Sequence, residues 1–179
     1  MSRLTEQSLP RRQFLRGQFF SALQTEKVAL QGFQGIRPPW AASEEKFVEG
    51  CIRCGDCIAV CESRILIKGA GGYPEVSFAN GECTFCGKCV QVCEQPIFRT
   101  MTEPAWRHKV EIKSDCLSFH GVECRSCEDS CESRAIYFKR GPGGIAKPYL
   151  NLVDCNGCGA CLAVCPSQSI NVKTAIEHE

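Results

Sequence analysis

The sequence predicts an α+β fold in which two small modules follow one another behind a cysteine-free N-terminal extension. Three observations carry this. Sixteen of the 179 residues are cysteine, about 9% of the chain, and all fall between Cys51 and Cys165. The cysteine pattern repeats, with an offset of 73 from Cys51 to Cys124 and of 72 from Cys83 to Cys155. Short apolar or β-branched runs broken by glycine turns separate the cysteine groups, as hairpins require. With 10 Phe, 3 Tyr and 2 Trp, two modules of this size are marginal on hydrophobic burial alone.

Charge narrows the function. Lys+Arg is 21 and Asp+Glu is 20, a formal net charge of +1. That balance argues against nucleic-acid binding through bulk charge and against a polybasic membrane anchor. No apolar run reaches the ~18 residues of a membrane-spanning helix.

The cysteines form four groups: Cys51, Cys54, Cys57, Cys61; Cys83, Cys86, Cys89, Cys93; Cys116, Cys124, Cys127, Cys131; and Cys155, Cys158, Cys161, Cys165. Three read C-x2-C-x2-C-x3-C; the third stretches its first gap to seven residues, and no cysteine is left over. Disulfides need partners facing each other at a defined separation, and thiols crowded on one tight loop do not provide them. Zinc favours tetrahedral sites built from C-x2-C pairs, often with His. Here the middle cysteines would be surplus, and only His108, His120 and His178 exist. The run is instead the signature of 4Fe–4S binding in bacterial ferredoxins, in which the fourth cysteine serves the other motif's cluster. Four such clusters are expected.

Local repeats assign the partners. Cys61-Glu62-Ser63-Arg64 recurs as Cys131-Glu132-Ser133-Arg134, and Cys86-Gly87-Lys88-Cys89 matches Cys158-Gly159-Ala160-Cys161. The first motif therefore corresponds to the third and the second to the fourth. The simplest assembly is tandem, with modules over residues 41–103 and 104–179. Its ligand sets are Cys51, Cys54, Cys57 with Cys93; Cys83, Cys86, Cys89 with Cys61; Cys116, Cys124, Cys127 with Cys165; and Cys155, Cys158, Cys161 with Cys131. A nested alternative, pairing the first motif with the fourth and the second with the third, stays open.

Each module should run cluster loop, short helix, β-hairpin, cluster loop, short helix, strand. The helices lie behind each third cysteine, as in Cys57-Ile58-Ala59-Val60-Cys61. The hairpins use Ile65-Leu66-Ile67 and Ala135-Ile136-Tyr137-Phe138, with glycine turns closed by Pro74 and Pro148. Residues 108–113 should open the second module as a strand and 169–173 should close it. Pro96 and Pro104 break regular structure in the connection at about 94–110. Because metal-binding energy becomes folding energy when no site pre-exists, the apo chain is expected to be largely unstructured.

With all sixteen thiolates used, no iron keeps the open position that a Lewis-acid catalyst needs. No Ser/His/Asp arrangement, phosphate loop or spare cysteine is present. The chain is therefore read as no enzyme; its chemistry is one-electron transfer or structural support. Only Pro166 supplies the proline that usually follows the fourth cysteine; Glu62, Glu94 and Glu132 stand at the other three positions. A nearby carboxylate opposes electron addition, whereas Arg53, Lys88 and Arg125 favour it. In the stretched third motif, Phe119 and His120 either shield the cluster, meet a partner, or belong to a tolerated insertion. His108 and His178 are read as surface residues.

Residues 1–40 form an arm and a link. Arg11-Arg12 resembles a twin-arginine export signal, yet no apolar stretch of about 7–15 residues follows. Leu15, Phe19, Ala22 and Leu23 fall on one helical face, which favours an uncleaved amphipathic arm. Arg37-Pro38-Pro39-Trp40 reads as a stiff, extended link.

Ile36-Arg37-Pro38-Pro39-Trp40, the N-terminal arginine pair, Gly69-Ala70-Gly71-Gly72-Tyr73-Pro74, Glu82-Cys83-Thr84-Phe85-Cys86 and the stretched motif with Val122-Glu123-Cys124-Arg125 together resemble the NapF family. These are ferredoxin-type accessory proteins encoded with bacterial periplasmic nitrate reductase, and the resemblance covers essentially the whole chain. It implies a cytoplasmic iron–sulfur protein that binds the precursor of the catalytic subunit, NapA, and assists its maturation before export, by assembly or by electron supply. The alternative is a general low-potential electron carrier among redox partner proteins.

Overall fold

The computed structural model describes residues 35–141 and 144–173. The expected arm at residues 11–23, with Arg11, Arg12, Leu15, Phe19, Ala22 and Leu23, lies outside them, as does His178.

Helices α1 (Glu44–Gly50), α2 (Asp56–Ala59) and α3 (Lys88–Gln91) belong to the first half, with strands β1 (Leu66–Lys68) and β2 (Pro74–Val76). The second half carries β3 (Lys109–Ile112), α4 (Ser126–Asp129), β4 (Ile136–Arg140), β5 (Ala146–Leu150), α5 (Ala160–Ala163) and β6 (Ile170–Lys173). Three two-stranded antiparallel sheets result: β1–β2, β3–β6 and β4–β5.

The two hairpins occupy equivalent places in the repeat. β1 pairs with β2 from Leu66 opposite Val76 to Lys68 opposite Pro74, and β4 pairs with β5 from Ile136 opposite Leu150 to Arg140 opposite Ala146. Pro148 was expected to close the turn; it lies inside β5, opposite Phe138. A two-stranded sheet has only edges, so a residue without an N–H is tolerated there.

In the second half, the expected opening and closing strands pair along their length, from Lys109 opposite Lys173 to Ile112 opposite Ile170. The first half repeats this closure with a single bridge, Ala41 to Phe98. Ala42 N–H donates to Ile97 O (2.9 Å) and Arg99 N–H to Trp40 O (2.7 Å) beside it. Pro38 and Pro39 have no N–H to extend that ladder, and α1 takes up the chain immediately afterwards.

The Arg37–Trp40 segment is therefore not a link outside the first module. All four residues are buried. The Arg37 guanidinium lies over the rings of Phe47 and Tyr73, at 5.2 and 5.3 Å. It donates to Glu44 at 2.8 and 2.5 Å and to the Pro74 carbonyl at 3.2 Å. Trp40 Nε1 donates to Glu103 O, and Trp106 Nε1 donates to Arg37 O. A planar cation with several donors satisfies aromatic faces and carbonyls together, and extended backbone carries it there.

Apolar burial is thin and interleaved with sulfur. Ile65, Leu66, Val76, Phe78 and Cys89 form one cluster, with Leu162 and Val172 of the second half packed against it. Val110, Ala135, Ile136 and Ile170 form another with Cys127, Cys155 and Cys161. Phe47, Tyr73 and Ile97 make a third.

His108 corrects the sequence reading. It is buried at 6% exposure, tilted against Trp106 and edge-on to Phe78, with Nε2 2.9 Å from Gly157 O. Burial holds its pKa below the usual histidine value. The unfolded chain then takes up a proton as pH falls through about 6.5 while the folded chain resists, so stability is lost on acidification by at most about 1.4 kcal/mol per pH unit. Replacing His108 with Gln keeps a donor but removes the titration. The melting temperature of the native protein is expected to fall more between neutral pH and pH ~5.5 than that of His108→Gln, as read by thermal unfolding.

Candidate functional site

None of the sixteen cysteines is joined in a disulfide, and they line four cavities. The first holds Cys51, Cys54, Cys57 and Cys93. The second holds Cys83, Cys86, Cys89 and Cys61. Cys116, Cys124, Cys127 and Cys165 surround the third-motif cavity. Cys155, Cys158, Cys161 and Cys131 surround the fourth. In each, three cysteines come from one motif and the fourth from the partner motif of the same half. This is the tandem arrangement, and the nested grouping is not formed.

Loop handedness gathers the sulfurs. Arg53, Phe85 and Gly157, each just before a second cysteine, have φ of 60°, 53° and 77°. Gly55, Gly87 and Gly159, just after it, have φ of 90°, 73° and 88°. Left-handed residues on both sides of the second cysteine curl the loop around the cavity, and glycine accepts that conformation without a Cβ penalty. Each glycine then caps a one-turn helix. The third cysteine sits inside that helix as its second residue, so the helix begins before Cys57, Cys89 and Cys161 and not behind them. It is the helix, not the loop, that aims these sulfurs.

The third motif reaches the same end differently. A 3-10 turn, Leu117–His120, absorbs the extra residues. Ser118 is buried and its hydroxyl donates to Cys124 O at 2.9 Å. Phe119 is exposed and His120 Nε2 meets Ser114 O, so neither faces the cavity. Leu117 lines it instead. The insertion is an ordered turn whose shielding residue is Leu117, two places before the aromatic that sequence reading singled out.

Around the sulfurs the donors are polar and local. Phe85 N–H points to Cys83 Sγ at 3.4 Å and Ser169 N–H to Cys165 Sγ at 3.3 Å. Ser133 Oγ lies 3.5 Å from Cys131 Sγ, and Ser167 Oγ 3.7 Å from Cys165 Sγ. Sequence reasoning missed these hydroxyls. Their signal was present as Cys-x-Ser after Cys61, Cys131 and Cys165. Such donors stabilise negative charge on sulfur. Of the glutamates flagged by sequence, Glu62 and Glu94 border the second and first cavities. Glu62 pairs with Lys88 at the surface, so two opposing charges partly cancel near the second cavity. Arg125 is paired with Glu128 at 3.2 Å.

The donor set selects its occupant. Burial, then mutual repulsion, pushes the Cys89 and Cys161 thiols up to about 12. Burial likewise pushes Cys127 up to about 12, and Cys57 and Cys83 up to about 11. Four thiolates gathered in one cavity need positive charge beside them. Four soft sulfur donors in each cavity, with no imidazole in any lining and carboxylates only in the first and second, suit zinc or iron–sulfur chemistry, and three converging thiolates from one loop plus a fourth from across the module fit a cubane cluster.

Residues 50–97 and 122–169 each match the 4Fe-4S dicluster domain family. Fold and site define a ferredoxin-type iron–sulfur protein built from two such domains in tandem, an electron-carrying or accessory class and not an enzyme. The chain is 51% identical to the ferredoxin-type protein NapF of Haemophilus influenzae over 98% of this chain and all of that one. It is 47% identical to NapF of Escherichia coli over 80% of this chain and 88% of that protein. To the ferredoxin-type protein NapG of Escherichia coli it is 26% identical over 97% of this chain and 88% of that protein. The chain belongs to the NapF family. No helix among the described residues is long and apolar enough to cross a membrane.

Paired alanine substitutions test the exchanged fourth cysteine. Cys61→Ala combined with Cys83→Ala should empty one cavity and cost about four iron atoms, whereas Cys61→Ala with Cys51→Ala should empty two and cost about eight. Iron and sulfide assay of anaerobically reconstituted protein reads the difference. The reverse pattern would place Cys61 with its own motif.

Proposed function

We propose that the chain holds four 4Fe–4S clusters, one in each cavity, and assists maturation of the periplasmic nitrate reductase catalytic subunit in the cytoplasm before export. The carrying observation is the collection of all sixteen cysteines into four cavities of four, in a chain that matches a NapF protein over nearly its whole length. Bound there, the clusters supply one-electron exchange.

The chain's own part is to hold sixteen thiolates, exclude water with Pro39, Leu66, Leu117 and Ile136, and set the charge around each site. Amide and hydroxyl donors on Cys83, Cys131 and Cys165 favour the more negative sulfur environment of a reduced centre. Glu94, at the rim of the first cavity, opposes it. The modules are assigned to residues 41–103 and 104–179, with the first drawing Arg37–Trp40 into its core.

Partner recognition falls to the segment upstream. Arg37 and Trp40 are buried and offer a partner no surface. The apolar stripe Leu15, Phe19 and Leu23 suits a helix-in-groove contact with the precursor, and Arg11, Arg12 and Arg16 suit charge-assisted bonds to its carboxylates. As a general electron carrier the chain would have no use for this stripe.

Deleting residues 1–35 should leave iron content unchanged and weaken capture of the nitrate reductase precursor at least roughly tenfold, about 1.4 kcal/mol. Anaerobic pull-down with a tagged precursor measures it. Unchanged capture, or recovery of a cleaved form from the periplasm, would overturn the recognition role.

A further inference from the structure

The two modules are not beads on a string: the second- and fourth-motif loops meet. Cys83, which lines the second cavity, donates its N–H to the carbonyl of Cys158, which lines the fourth, at 2.9 Å. The Cys83 thiol lies within electrostatic range of Cys158, and Cys158 within range of Glu82, the residue before Cys83. Phe78 fills the space beside Gly159 so closely that a Cβ there would come within 2.1 Å of its ring. His108 holds the same loop through Gly157 O.

We infer that this contact is an electron-transfer junction, which joins the four centres into one conduit in the order first, second, fourth, third motif. The inference rests on the cluster loading proposed above. Within each half the centres are already neighbours: α2, which carries Cys57, packs against α3, which carries Cys89, and α4, which carries Cys127, packs against α5, which carries Cys161. Between halves, the route from Cys83 Sγ to Cys158 Sγ runs through two short side chains, two stretches of backbone and one hydrogen bond. Tunnelling falls steeply with through-space gaps, and here bonded and hydrogen-bonded atoms replace the gap. The step moves one electron. The second-motif centre is oxidised by one equivalent, the fourth-motif centre is reduced by one, and no bond or proton changes place.

Packing keeps the junction in register. Gly159 leaves no room for a side chain, and Leu162 and Val172 of the second module sit against the core of the first. A flexible tether would let the separation vary; a packed core fixes it.

The test is magnetic. A full-length chain carrying Cys51→Ala, Cys54→Ala, Cys116→Ala and Cys124→Ala retains the second- and fourth-motif sites only. After anaerobic reconstitution to about eight iron atoms and reduction with dithionite, its electron paramagnetic resonance spectrum should be broadened by spin–spin interaction and relax fast. The complementary chain, carrying Cys83→Ala, Cys86→Ala, Cys155→Ala and Cys158→Ala, retains the first- and third-motif sites. It should give two isolated signals. A second–fourth chain with full iron whose spectrum is the sum of two isolated signals overturns the junction while leaving the cluster reading intact. Absence of iron–sulfur clusters from the unmodified protein instead overturns the cluster reading. Where the substituted chains do not load, hydrogen exchange on the unmodified loaded protein decides: peptides containing Cys83 should exchange slowly in their loop. Exchange as fast as at the exposed Asn151–Asp154 turn overturns the contact.

Discussion

A thiolate in an apolar hole is stable only beside positive charge, and this chain builds three such holes and a fourth, around Cys51, whose lining also carries Arg53, Asp56 and Glu94. Burial and neighbouring sulfurs drive the innermost thiols up to about 12. Left without a metal, those innermost thiols would stay protonated. Filled, each draws three sulfurs of one loop and one from across the module onto a common centre. The fourth cysteine is what ties a module together, because Cys93 lines the first cavity and Cys61 the second. On the proposed loading, the metal energy is tied to folding, which is how a chain with only small buried apolar clusters can sustain two small modules.

The repeat is carried unequally. The second half closes its ends with four residue pairs, the first with one bridge and the buried Arg37. The first half compensates through aromatic and guanidinium packing, in which Trp40, Phe47, Tyr73 and Trp106 surround an extended proline segment. Those same aromatics lead into the junction: Trp106 stands between Phe85 of the second-motif loop and His108, which grips the fourth. The segment that strengthens the weaker module is thus continuous with the contact between modules.

Much of this was legible in the sequence. The motif spacing indicated the cavities, and the Cys-Glu-Ser-Arg repeat indicated tandem pairing. The hairpins and the closing strands followed from alternation and glycine turns. What escaped depended on tertiary contact. Nothing local distinguishes a solvent-facing His108 from one roofed by Trp106 and Phe78. Arg-Pro-Pro-Trp has the composition of a linker, and only the carboxylate of Glu44 and the rings across the module turn it into core. Leu117 was overlooked because the stretched motif shows how many residues intervene, not the 3-10 turn that selects which one faces inward.

The most direct measurement is the iron, sulfide and Mössbauer analysis of anaerobically purified, fully reconstituted protein. Four occupied cavities require roughly sixteen iron and sixteen sulfide per chain, all in 4Fe–4S signals. Saturation near half that content, or zinc in place of iron, would contradict the account.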